Sequence, residues 1–261
     1  MATKLTPRLT AALRYVRPGR RLADIGTDHA YLPISIVASR LQEGCTPATE
    51  GTEVPLAVAS DINRGPVERA QAHVEAAGLS AHIRTVCTPG LDGLEDYDPE
   101  DIIIFGMGGE LIVSILAAAP WVCRPGKRLI LQPMTHAEKL RGYLSEAGFS
   151  IIGETLSREG ERIYQILCAE PTVNSTPCHP TTNAEEALAA LWVGARDLRR
   201  DDAEQVALYE ALLEKILHSE STARDARRAA GQATDEADRL LRSLRWALAR
   251  ARAEDPGASE P

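Results

Sequence analysis

Residues 21–33 constrain the chain more than any other stretch. Leu22-Ala23-Asp24-Ile25 is an apolar run that stops at Gly26; small polar residues follow, then a second apolar run of Leu32, Ile34, Ile36 and Val37. A pattern that changes period across a glycine reads as strand, tight turn, helix. This is the first crossover of a doubly wound parallel sheet. Such sheets take ligands beyond the carboxyl ends of their strands, where glycine permits close backbone approach and the next helix offers unpaired N–H groups. The turn lacks the second and third glycines of the dinucleotide fingerprint, because Asp28 and Ala30 stand in those places. Carboxylates at Asp24 and Asp28 would repel a pyrophosphate and suit a cation. They would equally serve as surface acids of an ordinary strand-turn-helix.

The segments downstream extend the same plan. Residues 56–61 are a short buried strand ending in Asp61, followed by a helix over 66–77 that Gly78 stops. A carboxylate at the tip of the second strand accepts two hydrogen bonds from vicinal ribose hydroxyls, so Asp61 is a second anchor. A third strand covers 82–87, with Asp92-Gly93 in the loop after it, and a fourth covers 101–105. The fourth runs into Gly106-Met107-Gly108-Gly109 ahead of a helix over 110–119, and three glycines in four positions favour a ligand at close range. A fifth strand over 128–131 ends at Gln132-Pro133; a helix over 137–147 and a hairpin of 149–154 with 163–169 complete the unit. This alternation, closed by a hairpin, is the α/β pattern of a class I, Rossmann-like methyltransferase sheet. S-adenosylmethionine, with its sulfonium and ammonium groups, is a cation of the kind the acids suit.

Composition sets the outer bounds. The 261 residues are 44% hydrophobic, enough for a full core plus an appendage. The five cysteines (Cys45, Cys87, Cys123, Cys168, Cys178) are odd in number, scattered and free of C-x-x-C pairs, so neither a disulfide framework nor a metal site is expected. No apolar run approaches a membrane span, and residues 1–21 carry charges in place of a signal-peptide core, which predicts a cytoplasmic location. The net charge of −8 argues against a nucleic-acid partner when taken globally, yet Lys4, Arg8, Arg14, Arg17, Arg20 and Arg21 all precede the first acid, Asp24. Residues 42–55 form a loop read as an insertion. Domain boundaries fall at a catalytic domain over 1–170, a proline-rich linker over 171–183, a helical region over 184–253 and a frayed tail over 254–261. The helical region reads as two long antiparallel helices with a break near Gly231, a coiled-coil appendage.

Six segments together resemble one family: Leu22-Ala23-Asp24-Ile25-Gly26-Thr27-Asp28-His29-Ala30-Tyr31-Leu32-Pro33, Ala59-Ser60-Asp61-Ile62-Asn63-Arg64-Gly65-Pro66, Asp92-Gly93-Leu94, Gly106-Met107-Gly108-Gly109-Glu110-Leu111-Ile112, Leu129-Ile130-Leu131-Gln132-Pro133 and Glu161-Arg162-Ile163-Tyr164-Gln165-Ile166. They are similar to the bacterial tRNA (adenine-22-N1)-methyltransferases, the TrmK family. The resemblance implies methyl transfer from S-adenosylmethionine to N1 of an adenine in the D-arm of tRNA. It implies cofactor-binding roles for Asp24, Gly26, Thr27, Asp28, Asp61, Ile62, Asp92, Gly93, Gly106, Met107 and Gly108. Asp28, His29 and Tyr31 are then the expected catalytic residues at the mouth, with Asp28 on the target's amino group and Tyr31 stacked on the extruded base. Arg8, Arg14, Arg17, Arg20 and Arg21 become candidate tRNA phosphate contacts, and the chain is expected to be a monomer or a weak homodimer through its helical tail. Two departures stand out: Met134 follows Gln132-Pro133 where the family has asparagine, and the 42–55 loop is long. Other readings of the same residues are a methyltransferase for a small molecule or protein, and a non-catalytic cofactor- or RNA-binding homologue.

Overall fold

The computed structural model describes residues 5–44, 54–172, 183–194 and 202–253. The sequence expectations for the 45–53 part of the long loop, for the linker residues 173–182 and for the 254–261 tail lie outside these. Seven strands form one sheet in the order β3-β2-β1-β4-β5-β7-β6. β1 (Leu22–Ile25), β2 (Ala57–Asp61), β3 (Ile83–Cys87), β4 (Asp101–Met107) and β5 (Arg128–Pro133) are parallel, while β7 (Arg162–Pro171) runs antiparallel to β5 and is followed at the edge by β6 (Phe149–Glu159). All four residues of β1 are buried, as a strand covered on both faces requires. Its neighbours are β2 on one side and β4 on the other, so the chain reverses its direction of winding there. That switch point opens a crevice at the carboxyl ends of β1 and β4.

The helices follow from their apolar spacing and caps. α1 (Pro7–Ala12) begins at Thr6, whose hydroxyl accepts from the Leu9 N–H, with proline in the first turn. α2 (Tyr31–Gln42) and α3 (Arg64–Ala76) join the first three strands; α4 (Gly109–Ala117) and α5 (Ala137–Glu146) join the fourth to the sixth. Ile102, Ile104, Leu129, Leu131, Ile112, Leu116, Leu140 and Leu144 sit in the core between sheet and helices, all fully buried.

Contacts divide the chain into two compact units. One comprises the sheet and its helices up to residue 153, with the segment that begins at Ile166; the other comprises residues 154–165 and the C-terminal helices. Among the described residues the second unit holds three helices where two were expected: α6 (Ala184–Val193), α7 (Ala203–Ala229) and α8 (Asp235–Ala253). The break between α7 and α8 does fall at Gly231, whose φ of 70° favours glycine. Leu208, Leu212, Leu213, Leu240 and Leu244 are buried at helical spacing, whereas Leu191 lies at the surface. The outer hairpin joins this unit because Leu156 packs into its core, and the buried Gln205 amide donates to the Leu156 carbonyl at 2.9 Å and accepts from its N–H at 2.6 Å.

Candidate cofactor and acceptor site

The turn after β1 is held from below. Gly26 and Thr27 both donate their N–H to the Ser60 carbonyl, at 2.8 and 2.9 Å, which ties the turn to the tip of β2. Gly26 has a φ of 78°, which favours glycine, and the tip of Met107 packs against it, its Cε 2.3 Å from where a Cβ would stand. Thr27 is buried; its hydroxyl accepts from the Ala30 N–H at 3.1 Å, and Ala30 is left-handed at φ 53° as it opens α2.

Asp24 lies beneath this turn. Burial pushes its carboxyl up to about 6, against which a hydrogen bond from Thr27 pulls down. A carboxyl raised in the fold favours folding fully below its ordinary value near 3.8, and that contribution is lost as pH rises to about 6. Asp24→Asn removes the titration. Relative to the parent, the variant is therefore expected to gain on the order of 2 kcal/mol in urea unfolding between pH 4 and pH 7. A difference that stays flat over that window would place the Asp24 carboxyl in the ordinary range.

A cavity of about 460 Å³ opens at the carboxyl ends of β1, β2 and β4. This is a size that holds small cofactors. Gly26, Asp61, Ile62, Asp92 and Met107 line it, so the structure brings together five of the eleven expected cofactor residues. Asp61 Oδ1 accepts from the backbone N–H of Asn63 at 2.7 Å and from its side-chain amide at 3.2 Å, which fixes the carboxylate at the strand tip. Thr88, Pro89, Gly90, Leu91, Leu111, Ile115, Ala118 and Ala119 also line the cavity and were missed. Leu111 and Ile115 stand one turn apart on α4 and Ala118 and Ala119 follow its end, and a large apolar side chain left 53% exposed at Leu111 is the signal that points to them.

The remaining expected residues have other places. Asp24 and Thr27 support the turn without lining the cavity. Gly93 has nothing within 4 Å of its missing Cβ and turns the loop at φ 68°. Gly106 sits at an irregularity in the β4–β5 register, and Gly108 precedes α4 with its missing Cβ 3.2 Å from Thr135 Oγ1. The glycine run therefore serves chain packing as much as any ligand. Asp28 is exposed but engaged: Arg69 Nε donates to Oδ1 at 3.0 Å and His29 Nε2 lies 3.1 Å from Oδ2. The Arg69 hydrogen bond holds its carboxyl below the usual range. The rings of His29 and Tyr31 lie 4.9 Å apart and within 11° of parallel.

The leading arginines divide into two groups. Arg8 reaches the carboxyl end of β5, where its Nη1 donates to Gln132 Oε1 at 3.1 Å and lies 3.8 Å from Met134 Sδ. Gln132 Oε1 also accepts from the Gly106 N–H at 3.2 Å, so one buried amide joins α1 to β4. Arg17, Arg20 and Arg21 lie instead at the amino end of the sheet. Arg17 meets the buried Asp101, Arg20 meets Glu100 and Arg21 meets Asp98. Their charge answers Asp98, Glu100 and Asp101 at the start of β4, so the arginines expected as phosphate contacts are engaged there with acids. Arg14 is exposed.

Among the described residues, no group of three or more His, Cys, Asp or Glu could hold a metal ion, and no helix is long and apolar enough to cross a membrane.

Comparison with known proteins gives these features a family. A profile described as a methyltransferase domain matches residues 5–167. The tRNA (adenine(22)-N(1))-methyltransferase of Bacillus subtilis is 36% identical over 167 residues, a match spanning 64% of this chain and 65% of that protein. Among solved structures, the B. subtilis m1A22 tRNA methyltransferase TrmK superposes with a TM-score of 0.70 at 27% identity, covering 96% of this chain and 98% of that one. Streptococcus pneumoniae Sp1610 in complex with S-adenosyl-L-methionine gives a TM-score of 0.72 at 26% identity over 94% of this chain and 100% of that one. With a profile match over more than half its length and a seven-stranded sheet closed by a hairpin, this chain belongs to the methyltransferase-domain family, and TrmK is its relative.

Proposed function

We propose that this protein transfers a methyl group from S-adenosylmethionine to N1 of adenine 22 in the D-arm of tRNA, acting in the cytoplasm as a monomer or a weak dimer through its helical tail. One observation carries the reading: Gly26, Asp61, Asp92 and Met107, from four separate strand ends and loops, line a single cavity at the switch point of the sheet. The relatives that bear the tRNA (adenine-22-N1) name support the choice of acceptor, and the complex of Sp1610 with S-adenosyl-L-methionine supports the choice of donor. The matched segment spans about two thirds of the curated relative's length.

The residues fit that donor. Gly26 puts bare backbone in the cavity wall beside Met107, Asp61 offers a carboxylate to ribose hydroxyls, and Ile62 and Leu111 offer exposed apolar side chains to an adenine ring. Asp92, which also lines the cavity, would accept from the ring's amino group. When bound, the donor supplies a methyl carbon activated by positive sulfur. The in-plane lone pair of adenine N1 forms the new N–C bond as the S–C bond breaks, leaving the thioether product and a cationic methyladenine, with no proton to remove first. The chain's task is therefore positioning, which fixes nitrogen and methyl in line. Tyr31 beside His29 offers a face for the extruded base, and Arg8 offers a cation to a flanking phosphate.

Incubation with labelled S-adenosylmethionine and an unmodified tRNA transcript, followed by mapping of the methyl, tests the assignment. Label is expected as 1-methyladenosine at position 22; label elsewhere, or only on a small molecule or protein, would replace it. Asp61→Ala removes a charged acceptor, worth about 2 kcal/mol, so calorimetry should show donor affinity lowered roughly thirtyfold.

A further inference from the structure

His73 lies on α3, far in sequence from the turn after β1, and neither its own segment nor the cavity assigns it a role. Its ring centroid is nonetheless 5.1 Å from that of His29 and 5.2 Å from that of Tyr31, with interplanar angles of 29° and 18°. Its Nδ1 lies 3.1 Å from the His29 carbonyl oxygen, so the neutral tautomer that donates there leaves Nε2 with the lone pair. The three rings are mutually close and stacked, with inclinations of 11° to 29°, a group of three rather than a pair. Between two of them sits Ala30, whose left-handed backbone at φ 53° is strained for a residue with a side chain and persists only where its surroundings fix it. The His73 bond to the preceding carbonyl and the Thr27 hydroxyl on the Ala30 N–H are two such fixings.

We propose that His73 is a positioning residue for methyl transfer: through its ring and its bond to the His29 carbonyl it holds His29 and Tyr31 as one rigid plate for the acceptor base. The proposal rests on the reading of Tyr31 as the stacking residue, and it adds α3 to the acceptor side of the site. A plate held from a second helix keeps the base in line with the methyl; a loose one admits base in many orientations. The loss therefore falls on turnover, and the donor cavity, which His73 does not line, keeps its affinity.

Three variants separate ring from bulk and from hydrogen bond. His73→Phe keeps a stackable ring, His73→Leu keeps volume only, and His73→Gln keeps a donor without a ring. Single-turnover methylation of the tRNA transcript is expected to slow about tenfold for His73→Leu and His73→Gln and less than threefold for His73→Phe, with the calorimetric affinity for S-adenosylmethionine unchanged within twofold in all three. Either of the ringless variants carries the test if the other fails to fold. Equal rates for Phe and the ringless variants, or a parallel loss of donor affinity, would overturn the assignment. Absence of tRNA methylation by the unaltered protein would instead overturn the function on which it rests.

Discussion

Arg17→Ala is expected to destabilise the sheet unit by about 3–5 kcal/mol while leaving tRNA affinity and its salt dependence unchanged. The Asp101 side chain has no exposed surface, and burial raises its carboxyl despite Arg17, the larger of its two opposing influences being loss of water. Arg17 Nε donates to Oδ1 at 2.7 Å and its backbone N–H to Oδ2 at 2.8 Å; its Nη2 also bonds the Glu100 and Gly126 carbonyls at 2.9 Å each. Truncation removes three of these four bonds and leaves a charge buried beneath the amino end of the sheet. Urea unfolding reads the loss. The same arginine read as a phosphate contact predicts the reverse, intact stability and weaker binding. Arg8→Ala is the counterpart at the carboxyl end, where loss of one phosphate contact should lower the salt slope of tRNA binding by about one.

Gly109→Ala carries the second large effect, expected near 3 kcal/mol, the upper range for overpacking. A Cβ at Gly109 would stand 2.2 Å from the His136 carbonyl oxygen and 2.8 Å from that of Thr135, and both are backbone atoms. Neither can swing aside as a side chain does. The Gly109 N–H also donates to the Thr135 oxygen at 2.7 Å, so the start of α4 is fastened to the turn ahead of α5. Forcing them apart moves Leu111 and Ile115, which line the cavity, and donor affinity should fall with stability. Gly108→Ala is the control: its new methyl meets only the Thr135 hydroxyl at 3.2 Å, and a small effect is expected there. Unchanged urea midpoints for Gly109→Ala would show that the two helix starts are not in contact.

Most strands were legible as short apolar runs and the third as an alternating one, and the places of Gly26 and Asp61 on the cavity were legible because each stands at a strand tip. Partners remote in sequence were not. The basic run before Asp24 looked like one surface, yet Arg17, Arg20 and Arg21 meet acids some eighty residues on, and only the sheet brings those together. The glycines at 106–109 suggested a ligand, while for Gly109 the close neighbour is the chain itself. Pro89, Gly90 and the lining face of α4 escaped notice because the cavity is made by packing one element over another, which no single segment records. The hairpin strands also run longer than their apolar patterns, and in the first of them the added Leu156 serves the core of the second unit.

Calorimetric titration of the unaltered protein with S-adenosylmethionine, beside a nicotinamide dinucleotide under the same conditions, tests the reading of the cavity most directly. Saturable binding of the methyl donor at one site per chain, weakened in Asp61→Ala, with no heat from the dinucleotide, is the expected result. Binding of the dinucleotide in place of the donor, or donor binding indifferent to Asp61, would contradict it.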